Sequence, residues 1–136
     1  MRGEYQHSID AKGRLIFPIK LREELGERFV IFKGLDNCLW VYSNADWDTF
    51  EKKIAALPAK ARKMQRFYSA NFECEPDAQG RIVIPQSLRE YAGLNKDVVV
   101  VGIQNRAEIW DSDAWKQYNS DLSSDDIAEL MEDLGV

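Results

Sequence analysis

The sequence is poor in the residues that hold metals and disulfides, with one histidine, two cysteines and no Cys-x-x-Cys pair in 136 residues. Protein zinc sites need several imidazole or thiolate ligands, so we expect neither a metal nor a cofactor. Cys38 and Cys74 fall at non-equivalent places in the repeat described below, which disfavours a framework disulfide. We therefore expect reduced thiols, as in a cytoplasmic protein.

Long apolar runs are also missing. No segment approaches the roughly 20 apolar residues that span a bilayer. The first residues, Met1 to Tyr5, lack the apolar stretch of a signal peptide and lead directly into a strand-like alternation. A membrane partner is therefore not expected, and the predicted location is the cytoplasm.

Acidic residues outnumber basic residues, 23 to 18, and the charges are unevenly distributed. The net charge is −5, yet residues 111–136 carry −7 and residues 1–110 carry +2. Such asymmetry matters more for possible partners than the overall charge. Residues 52–66 hold six cations and no acid. They predict a solvated helix face or one that pairs with acids of a neighbouring subunit.

What the sequence does contain is a duplicated segment, because residues 9–18 recur at residues 76–85, displaced by 67 positions. Each copy reads Asp-Ala-x-Gly-Arg, then three apolar residues and a proline. Leu-Arg-Glu follows in both copies, at residues 21–23 and 88–90. Two repeats are fewer than a solenoid requires, so two interlocked halves of one domain are expected.

Hydrophobic periodicity and turn residues give each half the same predicted order: strand, turn, strand, short helix, strand, strand and a longer helix. Ser124 is the expected cap of a last helix, whose apolar stripe contains Ile127, Leu130, Met131 and Leu134. The predicted organisation is a single domain (1–136) with repeat 1 at about 5–57, repeat 2 at about 72–120, a joining helix at 59–69 and an acidic C-terminal helix at 121–136.

The turn residues have defined physical roles. An aspartate can accept backbone N–H bonds two or three residues on, and glycine tolerates positive φ. Asp10, Gly13, Asp77 and Gly80 are therefore predicted to be structural. The arginine that ends each copy either pairs with a nearby carboxylate and locks the turn, or presents its guanidinium to a ligand, and both interpretations stay open.

The opening residues 1–15, the paired Asp-x-x-Gly-Arg turns and the helices that carry Trp47 and Trp115 resemble the MraZ proteins of bacteria. The resemblance implies a mainly β fold with short helices (α+β), an AbrB-like swapped-hairpin β-barrel formed by two tandem repeats within one chain. It further implies a transcriptional regulator that forms a ring-shaped homo-oligomer. Such regulators bind direct repeats in the promoter of the division and cell-wall gene cluster.

The same resemblance associates the Asp-x-x-x-Arg elements with contact to double-stranded DNA, and no small-molecule substrate is implied. We expect Arg14 to contribute more than Arg81, because Lys12 adds a cation to the first turn where the second has Gln79. A nucleoid-associated protein would follow. The predicted DNA-binding residues are Arg14, Lys12, Arg81, Gln79 and Arg2.

Two other classes of protein fit parts of the sequence. Paired aspartates could form a protease-like dyad, but each has an arginine four residues on that would keep it ionised, and no Asp-Thr-Gly, Ser/His/Asp set or phosphate loop is present. An enzyme is therefore not expected. A non-enzymatic interaction scaffold, with the acidic C-terminal helix as its contact, is the alternative to DNA binding.

Overall fold

A computed structural model describes all 136 residues, with eight strands and six α-helices. No helix is both long and apolar enough to cross a membrane. In chain order the elements are β1 (Glu4–Ser8), β2 (Arg14–Ile16), α1 (Ile19–Leu25), β3 (Phe29–Lys33), β4 (Leu39–Ser43), α2 (Asn44–Ala55), α3 (Arg62–Phe67), β5 (Asn71–Cys74), β6 (Arg81–Val83), α4 (Gln86–Tyr91), β7 (Asp97–Ile103), β8 (Arg106–Asp111), α5 (Ser112–Ser120) and α6 (Ser124–Asp133).

The main sheet interleaves the two repeats. Its six strands follow the order β1-β7-β8-β4-β3-β5. β1 of the first repeat pairs antiparallel with β7 of the second, and β5 of the second pairs antiparallel with β3 of the first. β4 and β8 join the halves at the centre of the sheet. The strands of each repeat therefore form part of their backbone hydrogen bonds with strands of the other repeat.

A separate two-stranded ribbon contains the strands that follow the duplicated turns. β2 and β6 pair antiparallel, with Leu15 opposite Ile82 at the middle of the ribbon. Leu15 and Ile82 point into the core and are buried, as the two-residue period of a strand requires for one face. The next residue of each strand is exposed.

The largest apolar cluster has 18 buried residues and draws on both repeats. Phe17 and Ile84 follow the ribbon strands and are fully buried in this cluster. Burying a side chain of this size contributes about 1.5–3 kcal/mol each. The ribbon is therefore anchored to the shared core at both ends.

Two smaller clusters attach the longer helices to the sheet. Phe32 packs against Trp47 of α2 and against Tyr68, with ring centroids 4.7 and 6.1 Å apart. Trp110 similarly packs against Trp115 of α5, at 5.2 Å. Aromatic contacts at such distances are favourable, so these pairs help to hold the helices against the sheet.

The helices differ from the sequence predictions in two places. Ser123, and not Ser124, caps α6, because its hydroxyl accepts from the Asp126 N–H while the Asp126 carboxylate accepts from the Ser123 N–H. The predicted joining helix at 59–69 is instead a 3₁₀ turn, Ala59–Ala61, followed by α3. At the start of α2, the Ser43 hydroxyl accepts the N–H of Asp46 and so caps that helix.

Candidate nucleic-acid interface

The first duplicated turn is closed by the side chain of Asp10. One carboxylate oxygen accepts the backbone N–H groups of Lys12 and Arg14, both at 2.9 Å. The other accepts Nε of Arg14 at 2.6 Å. These bonds use one of the five N–H donors of the guanidinium and leave its terminal amino groups without a protein partner. The arginine is thus oriented by the turn and still able to bind a ligand.

The second turn repeats this geometry. Asp77 accepts the backbone N–H groups of Gln79 and Arg81, both at 2.9 Å, and Nε of Arg81 at 2.8 Å. Both arginines are partly exposed. The difference between the turns is therefore one of composition, since Lys12 stands where the second turn has Gln79.

Each turn glycine connects one repeat to the other. Gly13 and Gly80 have φ values of +78° and +79°, which side chains rarely tolerate. The carbonyl of Gly13 accepts the N–H of Ile84, and the carbonyl of Gly80 accepts the N–H of Phe17, both at 2.9 Å. The two turns consequently form the two ends of the β2–β6 ribbon.

Two further arginines cover these glycines. A Cβ added at Gly13 would lie 3.0 Å from Cζ of Arg89, and one added at Gly80 would lie 3.2 Å from Nη1 of Arg22. Arg89 belongs to α4 of the second repeat and Arg22 to α1 of the first. Each turn therefore combines its own arginine with a guanidinium from the opposite repeat.

Sequence reasoning did not select Arg22 and Arg89 as site residues. A signal was present, because both stand in the duplicated Leu-Arg-Glu at the same offset as the turns. In a short amphipathic helix they resemble ordinary solvated residues. Nε of Arg89 donates to the carbonyl of Ile84 at 3.0 Å, whereas Nε of Arg22 is buried with no protein acceptor.

The outer face of the ribbon is cationic and apolar. Arg14 lies opposite Val83, and Ile16 lies opposite Arg81. These four side chains share the face that Leu15 and Ile82 do not occupy. Ile16 and Val83 are 52% and 59% exposed. The result is a pseudo-symmetric surface with two arginines on one diagonal and two exposed apolar residues on the other.

The remaining predicted residues differ in placement. Lys12 and Gln79 are exposed on the two turns, beside the ribbon. Arg2 is exposed beside Gly102, at the other end of β1 from the Asp10 turn. No hydrogen bond or ion pair joins Arg2 to either turn. The structure therefore groups Arg22 and Arg89 with the turns and does not group Arg2 with them.

The electrostatics of the paired aspartates oppose acid–base catalysis. The backbone N–H of Arg14 and the Arg14 guanidinium hold the pKa of Asp10 below its ordinary value of 3.8. Arg81 lowers the pKa of Asp77 in the same way. A protease dyad needs one carboxyl group to keep its proton, which requires a raised pKa. Both aspartates are instead anionic acceptors within their turns.

The fold and the duplicated turns together define a class of protein: a β-rich chain of two tandem AbrB-like repeats. The family model described as "MraZ protein, putative antitoxin-like" matches residues 1–68 and again 67–134.

Curated relatives named transcriptional regulator MraZ match along nearly the whole chain. The protein from a Thermoanaerobacter species is 51% identical over 142 residues, covering 100% of this chain and 99% of the relative. Those from Alkaliphilus metalliredigens and Acetivibrio thermocellus are 54% and 52% identical, each with 98% of both chains covered. The chain belongs to the MraZ family of transcriptional regulators.

Proposed function

We propose that this regulator binds double-stranded promoter DNA sequence-specifically, and that the β2–β6 ribbon with its two turns is the contact surface. The observation that carries the proposal is the gathering of four guanidinium groups at the ribbon, from Arg14, Arg22, Arg81 and Arg89. Guanidinium groups bind phosphates and read guanine edges with paired hydrogen bonds. Carboxylates that fix Nε would hold Arg14 and Arg81 ready for such contacts.

The shape of the ribbon suits the DNA major groove. That groove is about 12 Å wide and admits a two-stranded β-ribbon. The exposed Ile16 and Val83 would lie beside the arginines, where apolar side chains can contact thymine methyl groups. The face thus offers both hydrogen-bond and apolar contacts to base edges, and Lys12 would add a contact to a phosphate at the first turn.

One ribbon is small and would bind DNA weakly by itself. We propose that identical subunits form a ring and engage direct repeats in the promoter of the division and cell-wall gene cluster. Once one subunit is bound, the next ribbon meets its site at the effective concentration set by the assembly, which can raise avidity by about 10²–10⁴. Association with the nucleoid would follow from this binding.

The test is a gel-shift titration with DNA from upstream of the protein's own gene. Wild type should retard this DNA more strongly than a scrambled duplex of equal length. Arg14→Ala should bind about 5- to 150-fold more weakly, because one bidentate base contact is worth about 1–3 kcal/mol of discrimination. Size and melting temperature should be measured alongside to show that the variant is assembled and folded.

Arg28→Ala is the matched control. Arg28 is an exposed arginine whose guanidinium lies near Glu73 and Glu75, at 3.7 and 3.5 Å, and it takes no part in either turn. The Arg28→Ala substitution removes the same charge at a site away from the turns and should leave the affinity for DNA nearly unchanged. Equal losses from Arg14→Ala and Arg28→Ala would remove the ribbon from the contact surface. No retardation of any DNA at low salt would favour the scaffold alternative.

A further inference from the structure

The C-terminal helix α6 presents an apolar face that nothing in the chain covers. Every residue from Asp121 to Val136 is exposed. At 3.6 residues per turn, Ile127, Leu130, Met131 and Leu134 fall on one side of the helix. Leu130 and Leu134 are 58% and 78% exposed. The capping box of Ser123 nevertheless fixes this segment as a helix.

The rest of α6 is strongly acidic. Residues 121–136 contain six acids and no cation, and none of the six forms an ion pair within the chain. Asp126 and Asp133 border the apolar stripe, because they lie about one helical turn before and one turn after Leu130. A surface that covers the stripe should therefore carry positive charge around an apolar centre.

The basic segment, residues 52–66, has those properties. It runs through the end of α2, the Ala59–Ala61 turn and most of α3. All six of its cations are exposed, and none forms an ion pair. Met64 and several small alanine side chains are exposed between them. Its charge of +6 equals the −6 of residues 121–136 in magnitude.

We propose that α6 docks on the basic segment of a second copy of this chain. Two different patches of one chain that bind each other make a head-to-tail contact, which closes into a ring when the rotation allows it. The inference rests on the ring assembly proposed above and names the surfaces that join its neighbours. It also assigns the basic segment to protein contact and not to DNA.

The experiment is a charge swap in the full-length protein, with mass measured by light scattering. The basic-segment variant is Lys60→Glu/Lys63→Glu and the α6 variant is Glu132→Lys/Asp133→Lys. Cations in the last turn of a helix and acids near the start of one are favourable to the helix dipole. The substitutions in α6 and at Lys63 therefore preserve their own helices.

Each variant alone should shift from the assembled mass towards the single-chain mass. Mixing the two variants should restore the assembly, because each then offers the charge that the other lacks. The four substitutions in one chain should restore it as well. Restoration on mixing also separates a contact between chains from a loss of folding.

Leu130→Gln tests the apolar part of the contact and should lower the assembled fraction. Leu35→Gln is its control, because Leu35 is 56% exposed but lies outside both surfaces. An assembled wild type whose mass is unchanged in both charge variants would overturn this contact and leave DNA binding untouched. If Lys60→Glu/Lys63→Glu assembles fully but no longer binds DNA, the basic segment is a DNA contact and the proposed contact with α6 is overturned as well. A monomeric wild type would defeat both the contact and the proposed ring.

Discussion

Gly13→Ala perturbs the first turn, where Arg14 of the first repeat lies beside Arg89 of the second. An L-residue at φ of +78° costs about 1–2 kcal/mol relative to glycine. The new Cβ would also lie 3.0 Å from Cζ of Arg89, so the guanidinium must move. Its bond to the Ile84 carbonyl would then be lost, at about 1 kcal/mol. We expect a total loss of about 2–3 kcal/mol.

Gly93→Ala is a matched control for the backbone term. Gly93 has φ of +59°, and a Cβ there would meet nothing within 4 Å. It should lose only about 1–2 kcal/mol, from backbone strain. At about 3 °C per kcal/mol for a domain of this size, the two variants should melt about 3 °C apart at equal protein concentration.

DNA affinity should separate the two variants more clearly than melting does. Gly13→Ala displaces Arg89 from the first turn and should weaken binding of the promoter DNA several-fold. Gly93→Ala should leave affinity unchanged, because a Cβ at Gly93 meets nothing within 4 Å and therefore does not displace Arg89. Equal melting temperatures and equal affinities in the two variants would refute the packing of Arg89 on Gly13 as a feature of the site.

Three further predictions concern charge and thiols. Because Asp10 and Asp77 have a lowered pKa, their stabilising effect is present above pH 3.8 and is lost as pH falls below it. The free energy of unfolding should therefore fall less steeply with acidification in Asp10→Asn/Asp77→Asn than in wild type. An equal dependence on pH in the two proteins would contradict this. Gln79→Lys should tighten DNA binding and Lys12→Gln should weaken it in the same titration. Unchanged affinity in both variants would show that neither position contributes to DNA affinity. Burial raises the pKa of both cysteine thiols to about 12. A thiol reagent at neutral pH should therefore label them only when the protein unfolds. Rapid labelling of the native protein would contradict their burial.

The strands and helices followed from the sequence because each repeat contains its own periodicity and turn signals. The order of strands and helices in both repeats agrees with the prediction, and the AbrB-like β-rich class is confirmed. The partner of each strand could not be predicted in this way. Periodicity describes one strand at a time, whereas the pairing of β1 with β7 depends on contacts between residues almost 100 positions apart.

The candidate site shows the same limit. Asp10 and Gly13 were identifiable because their turn chemistry is local. Arg89 was not, because its role depends on a glycine in the other repeat that is distant in sequence. The predicted cap of α6 differs from the observed cap by one residue for another reason. Either of two adjacent serines can cap a helix, but only Ser123 has an acid three residues on, Asp126, that can form the reciprocal hydrogen bond.

The salt dependence of promoter binding tests the central claim most directly. Each phosphate contact made by an arginine or lysine adds about one to the slope of log affinity against log salt concentration. If the ribbon arginines contact the DNA backbone, the slope of Arg14→Gln/Arg81→Gln should be smaller than that of wild type by about 2 for each subunit that binds the DNA. A double variant with the wild-type slope and the wild-type affinity would show that DNA is not bound at the ribbon.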